Sequence, residues 1–217
     1  MLKRTPVSKM RLSRILQSGL PIDSADLQAL FYAMNLTCEP NTEGQAFRYQ
    51  ATKMAIMLLE QHGQYSTNML GAYAVLAMYE VGQALFPAAY LTVSGVARLF
   101  CALGLHDKKK ATQLMRRPDT WVEVEERRRI WWSVLMLDRY VHIGFRFRPL
   151  STPGIPPDEI IPAKDRDWDV GVRTRSRTLE LQPMIDEVSG ARRESAACDE
   201  HRSIDISEYK PPPCFRT

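Results

Sequence analysis

Side chains able to move a proton, pair a charge or hold a ligand are densest between Glu125 and Leu150, EERRRIWWSVLMLDRYVHIGFRFRPL. An acidic pair, Glu125-Glu126, and three arginines, Arg127 to Arg129, run into Trp131-Trp132 and an aliphatic block holding Asp138-Arg139. At 100° per residue, Ile130, Val134, Leu137 and Val141 form one row, and Trp131 and Leu135 form a second. Trp132, Met136 and Ile143 form a third, leaving Glu126, Arg129, Ser133 and Tyr140 on the one polar strip. A helix apolar around most of its circumference belongs in the middle of a fold. Asp138 lies between two apolar rows, where an unpaired carboxylate is costly, so it must meet a cation or several N–H donors. Arg98, on a helix face with Leu91 and Ala102, and Arg148, just after the turn at Gly144, are the arginines placed to pair with it. No second acid, histidine or nucleophile stands at a spacing that would make Asp138 catalytic, so a structural ion pair is the plain reading.

The remaining chemistry is sparse. Cys38, Cys101, Cys198 and Cys214 are widely separated and form no C-x-x-C pair, which excludes a locally built zinc finger or thioredoxin-type site and fits free thiols in a reducing compartment. His62, His106, His142 and His201 share no metal spacing; His106 and His142 end or follow helices, where a cation complements the dipole. Glycine-rich phosphate loops, H-E-x-x-H and G-x-S-x-G are all missing from the sequence. Asn35-Leu36-Thr37 has the form of a glycosylation acceptor that is idle without a secretory signal.

The elements that must position these residues read as helices. Met1 to Leu20 is basic and acid-free, with a weak apolar repeat at Leu12, Ile15, Leu16 and Leu20 before Pro21. It reads as a short basic surface helix; the same composition also suits a transit peptide. Asp23 or Ser24 caps a short helix through Leu27, Leu30, Phe31 and Met34. Gln45 to Gln61 carries Phe47, Ala51, Met54, Met57, Leu58 and Gln61 at three- and four-residue steps, an apolar face closed by His62-Gly63. Ser66 or Thr67 opens a helix that closes near Gly82, and Pro87 as first residue opens another that stops at Gly104. Thr120-x-x-Glu123 forms a capping box for the central helix, over about 121–143. Beyond Gly144, Pro149, Pro153, Pro156, Pro157 and Pro162 impose an extended segment. From Val172 to Thr217 periodicity vanishes and the tail reads as disordered. The expectation is an all-α, antiparallel helical array around one central buried helix, with a basic segment over 1–21, the folded domain over 22–171 and the tail over 172–217.

Composition agrees with that class. A chain of 217 residues with 45% hydrophobic residues suits one domain plus a tail, and no run approaches the roughly 18 apolar residues that cross a bilayer. The net charge of +4 is mild. The clusters Lys108 to Lys110, Arg116-Arg117 and Arg127 to Arg129 are short and lie near helix ends, so they read as solvated surface rather than a nucleic-acid groove. Small residues (Ala72, Ala74, Ala88, Ala89, Gly95, Ala97) allow close helix crossings. Met54, Met57, Met69 and Met78 are read as core, with an adaptable pocket as the alternative.

Several pieces, taken in order, resemble the fungal-specific transcription factor domain, the helical regulatory region that follows a binuclear zinc–cysteine cluster in fungal regulators. They are Ala72-Tyr73 through Glu80, Ala97-Arg98 through His106, Glu125 to Arg129, Trp131-Trp132, Leu137-Asp138-Arg139, Gly144, Arg148-Pro149, and Pro162-Ala163-x-Asp165-x-x-Trp168-Asp169. The resemblance implies a non-enzymatic transcription regulator in the nucleus. Its motif residues are Arg98, His106, Glu126, Arg128, Arg129, Trp131, Trp132, Asp138, Arg139, Arg148, Pro149 and Trp168. It implies an effector or co-regulator, or a second copy of the chain, as partner, and no membrane. DNA is reached only through a zinc cluster of six cysteines, which this sequence does not contain, so no cofactor is expected in this chain. The Gly-Arg-Pro turn appears here as Gly144-x-x-x-Arg148-Pro149, and the expected continuation past the Trp-Asp segment is replaced by the tail, as in the front half of a regulatory domain. Two other readings remain open. A helical enzyme with a Met-rich apolar pocket would need a helix-borne D-D-x-x-D, which the sequence lacks; a non-functional remnant would fold poorly or only with a partner.

Overall fold

The computed structural model describes residues 6–19, 23–38, 44–106, 115–143, 148–155 and 159–170. Glu159 aside, these belong to one compact unit. The expected tail, with Cys198, Cys214 and His201, lies outside the described residues, as do Gly144 and the Lys108 to Lys110 cluster. The elements are α1 (Lys9–Gln17), α2 (Ala25–Cys38), α3 (Gln45–Gln61), α4 (Thr67–Gly82), α5 (Ala88–Ala102), α6 (Trp121–Val141) and α7 (Asp165–Val170), with no strand element among the described residues. The protein is all-α.

Local chemistry explains most of the boundaries. Ser66 caps α4 by accepting from the Met69 amide at 3.1 Å, and Thr120 caps α6 by accepting from the Glu123 amide at 3.2 Å. Glu123 returns its carboxylate to the Asp119 amide, one residue earlier than a capping box requires. Helices α3 and α5 end in paired backbone bonds over a left-handed glycine. Gln64 N–H reaches Leu59 O and Gly63 N–H reaches Glu60 O, while Leu105 N–H reaches Phe100 O and Gly104 N–H reaches Cys101 O. The same pattern closes α4, but with Ala84 at φ 53° in the left-handed position and Gly82 as the last helical residue. Pro87 is the cap of α5 rather than its first residue.

Packing departs from the sequence expectation in three places. The longest helix, α6, was expected at the centre, yet α4 is the more enclosed and packs against α2, α3, α5 and α6. Its small residues explain this. A methyl group on Gly71 would meet Val7, Leu30 and Ile130 at 3.3–3.7 Å, so the N-terminal segment, α2 and α6 all converge there. α6 meanwhile leaves Met136 and Tyr140 exposed. Second, α3 presents the opposite face. Thr52, Ile56 and Leu59 are buried, whereas Phe47, Met54, Met57 and Leu58 are exposed. The reason is polar: Tyr49 Oη and Lys53 Nζ donate to the fully buried Glu80 carboxylate of α4 at 2.6 and 2.8 Å, and they roll their side of α3 inward. Third, the segment after Pro162 is not extended to its end, because residues 165–170 form α7. The basic N-terminal segment packs into the same core through Val7 and Leu12.

Candidate functional site

Helix α6 carries its polar side chains on several sides, and they hold the entry to α1, residues 151–153 and the stretch that leads into α7. Buried backbone N–H groups in such segments require acceptors. Near the start of α6, the buried Glu126 accepts through Oε1 from the Ser8 amide and from the Arg11 guanidinium, both at 2.9 Å, fastening the N-terminal segment. On another side, the buried Glu125 accepts from the Ala163 amide at 2.6 Å and is paired with Arg128 and Arg129. Arg129 donates to Asp165 at 3.0 Å and to Ala163 O at 2.7 Å, and it lies 4.7 Å over the ring of Trp168, which meets Trp121 edge-on. Trp132 donates its indole N–H to Ile160 O at 3.0 Å. These residues bring 160–168 down onto the helix.

The third anchor is Asp138, wholly buried. Its Oδ2 accepts from the Thr152 amide at 2.9 Å and the Thr152 hydroxyl at 2.7 Å, and its Oδ1 from the Ser151 amide at 3.3 Å. The expected pairing with Arg98 or Arg148 does not occur. Arg98 is exposed on α5, and Arg148 stacks over Tyr90 at 5.0 Å. Short-range donors win because two amides and a hydroxyl reach the carboxylate without desolvating a second long side chain. The adjoining Arg139 guanidinium is 3.9 Å from Asp138 and donates to Thr152 Oγ1 and to Pro153 O. Burial pulls Arg139 down from the usual arginine range, and the Asp138 charge opposes that pull.

His142 caps α6, with Nδ1 2.5 Å from Asp138 O; a carbonyl can only accept, so Nδ1 carries the proton. Trp131 is buried against Phe100, with ring centroids 5.8 Å apart, and His106 lies beyond it at 6.4 Å. Pro149 is exposed in the 148–155 segment. Contrary to the sequence expectation of a solvated surface, Arg127 to Arg129 are tied into the fold. Arg127 donates to Thr67 and to Arg116 O, and the side chains of Arg128 and Arg129 are only 12% and 10% exposed.

Sequence reasoning missed two further acids. Glu80 organises Tyr49, Lys53 and, through Lys53, Thr92. Burial alone would lower the Lys53 ammonium, but the Glu80 and Tyr49 hydrogen bonds raise it overall. Glu80 closes the most apolar run in the chain, a signal of the same kind as Asp138. Asp26 ties α2 to α4, accepting from Ser66 Oγ at 2.5 Å and Asn68 Nδ2 at 3.1 Å.

None of these groups converges on a reactive centre. Burial pushes the Cys101 thiol up, and Asp138 adds to that, so a thiolate nucleophile is disfavoured. Among the described residues no three His, Cys, Asp or Glu side chains cluster to hold a metal, and no helix is long and apolar enough to cross a membrane. A cleft of about 170 Å³ beside the N-terminus of α4 is lined by Arg11, Asn68, Arg116, Glu123, Glu126 and Arg127 together with Tyr65 and Met115. Met54 and Met57 are exposed on α3 while Met69 is in the core, so these methionines share no pocket.

The model of the Fungal specific transcription factor domain matches residues 21–163, from the approach to α2 through the residue whose amide meets Glu125. This chain belongs to that family. A curated relative, Transcription factor BOA15 of Botryotinia fuckeliana (strain B05.10), is 37% identical over 126 residues, covering 57% of this chain and 70% of that protein. No solved structure matches the chain significantly. The coarse role of a family member is transcription regulation. Of the motif residues, Glu125, Glu126, Arg129, Trp132 and Asp138 hold neighbouring chain on α6 in this fungal-specific transcription factor domain.

Proposed function

We propose that this chain acts as the regulatory part of a nuclear fungal transcription regulator, responding to an effector or co-regulator and reaching DNA only through a zinc cluster not encoded in these 217 residues. The observation that carries the reading is the use of α6: among the described residues, its three buried carboxylates, Glu125, Glu126 and Asp138, each accept from a backbone N–H of peripheral chain. A domain built this way can transmit a binding event. The N-terminal segment, 151–152 and 160–168 are each held through one carboxylate of a single helix, so displacing one is felt by the element that holds the others. The four widely spaced cysteines support placing zinc and base readout elsewhere. Fusing the whole chain to a heterologous DNA-binding domain tests this directly. The fusion should enter nuclei and change a reporter's transcription, while the purified chain alone should carry no stoichiometric zinc and bind duplex DNA weakly, with strong salt sensitivity. A fusion with no effect on transcription, or tight sequence-selective binding by the chain itself, would contradict the proposal.

A further inference from the structure

The cleft beside the N-terminus of α4 is lined by three side chains that each leave one buried polar atom without a hydrogen-bond partner: Glu126 Oε2, Asn68 Oδ1 and Arg11 Nε. The rest of each side chain is committed. Glu126 Oε1 accepts from the Ser8 amide and the Arg11 guanidinium, and Asn68 Nδ2 donates to Asp26. Glu126 is only 1% exposed. A buried carboxylate oxygen left without a donor costs free energy that a bound N–H group recovers.

The types of these atoms define what fits. Two acceptors, one of them charged, call for a cationic N–H donor, and a guanidinium N–H calls for an anionic acceptor. A bare anion does not suit the site. Among the described residues, the guanidiniums of Arg11, Arg116 and Arg127 are offset by Asp119, Glu123 and Glu126, with Asp26 behind Asn68, so positive charge is not in surplus. A bare cation leaves Arg11 Nε unmet. The volume of about 170 Å³ is close to that of a cavity that takes benzene, so a molecule of about six to eight non-hydrogen atoms fits. Tyr65 and the buried Met115 add apolar wall. We propose that this cleft binds a small α-amino acid. Its ammonium donates to Glu126 Oε2 and Asn68 Oδ1, its carboxylate accepts from Arg11 Nε, and its side chain lies against Met115 and Tyr65. Arg11, at 26% exposed the freer partner of its pair with Glu126, is the side chain that shifts to admit the ammonium. Glu126 and Arg11 also fasten the N-terminal segment, so occupancy is felt there, a consequence that rests on the regulatory reading above.

Titration calorimetry on the purified full chain tests the site. L-Alanine, L-serine, L-threonine and L-valine span the size the cleft admits. At least one of them should bind with one-to-one stoichiometry and a Kd on the order of 0.1 mM, within the ceiling for so few atoms. Isovalerate and isobutylamine, which each keep one charged end of valine, should bind about tenfold or more weakly, as should the D-enantiomer of the amino acid that binds, because a three-point contact distinguishes the two hands. Glu126→Gln exchanges the unpartnered acceptor for a donor and keeps an oxygen for the Ser8 amide, so it should weaken binding by about tenfold or more. Asn68→Leu, at a half-buried position in the first turn of α4, should do the same and covers the case in which Glu126→Gln fails to fold. No saturable heat from any of the four amino acids, equal binding of isovalerate or isobutylamine, or variants that keep their circular dichroism and bind like wild type would each overturn the proposal. Binding by the purified chain and transcription by the reporter fusion are separate readouts, so a failure of this site and a failure of the regulatory reading are told apart.

Discussion

Replacing Asp138 by alanine removes one carboxylate and strands several donors at once. The Thr152 amide and hydroxyl, at 2.9 and 2.7 Å, lose their acceptor, the Ser151 amide loses a longer one, and Arg139 loses the charge beside it. A hydrogen bond to a charged acceptor contributes about 1.5–3 kcal/mol, but these donors share one carboxylate, so their contributions do not sum. Truncating one partner of a buried charged cluster costs about 3–5 kcal/mol, mostly because groups left behind stay dehydrated and unpaired. In a domain of this size each kcal/mol moves the melting midpoint by roughly 2–4 °C. Asp138→Ala should therefore melt roughly 6–20 °C below wild type when followed by circular dichroism. Thr152→Ala, which removes the hydroxyl and keeps the amide, should cost about 1–2 kcal/mol. Arg98→Ala, on the exposed side of α5, should stay within about 0.5 kcal/mol. An Asp138→Ala protein melting within a degree or two of wild type, or an Arg98→Ala protein as damaged as it, would refute the reasoning.

Three other perturbations follow from local geometry. Burial, with the Glu60 charge adding to it, pushes the Tyr73 hydroxyl up to about 12 from an ordinary 10.0. The ionised form thus favours the unfolded chain, and the stability linked to neutral Tyr73 is complete below pH 10 and lost as pH rises through about 12. Tyr73→Phe should raise the midpoint of alkaline unfolding; tyrosinate absorbance and circular dichroism followed together would show whether it does. A methyl group on Gly95 would sit 2.8 Å from Tyr73 Oη, so Gly95→Ala should cost about 1–3 kcal/mol, and much less when measured in the Tyr73→Phe background. Ala84 holds φ 53° at the end of α4, so Ala84→Gly should stabilise by about 0.5–1 kcal/mol in denaturant titration, and a loss of stability would show that the left-handed cap is misassigned.

How far the sequence revealed this arrangement depended on how local each determinant is. Ser66, Thr120, Gly63 and Gly104 act within one turn of backbone, and the helix ends they mark were readable from residue type and spacing. The need of Asp138 for a partner was readable too, because its position between apolar rows is a property of one helix. Its partners were not: Ser151 and Thr152 lie in a segment whose return path no periodicity encodes. The face of α3 was misread for a related reason. Counting apolar residues favours Phe47, Met54 and Leu58, whereas the buried face is chosen by Glu80 on another helix, through Tyr49 and Lys53. Ala84 carries no residue signal for a left-handed cap, and α7 is too short for a repeat.

The central claim is that carboxylates of α6 hold chain segments that have no secondary structure to protect them. Residue-resolved native-state hydrogen exchange addresses it at the two amides concerned, Thr152 donating to Asp138 and Ala163 donating to Glu125. Both should exchange slowly, with opening free energies within the range of the amides in the middle of α6, because opening either strands a buried carboxylate. Exchange at these two positions as fast as at the exposed Gly154 amide would show that the anchors do not hold, and the account of α6 would fail with them.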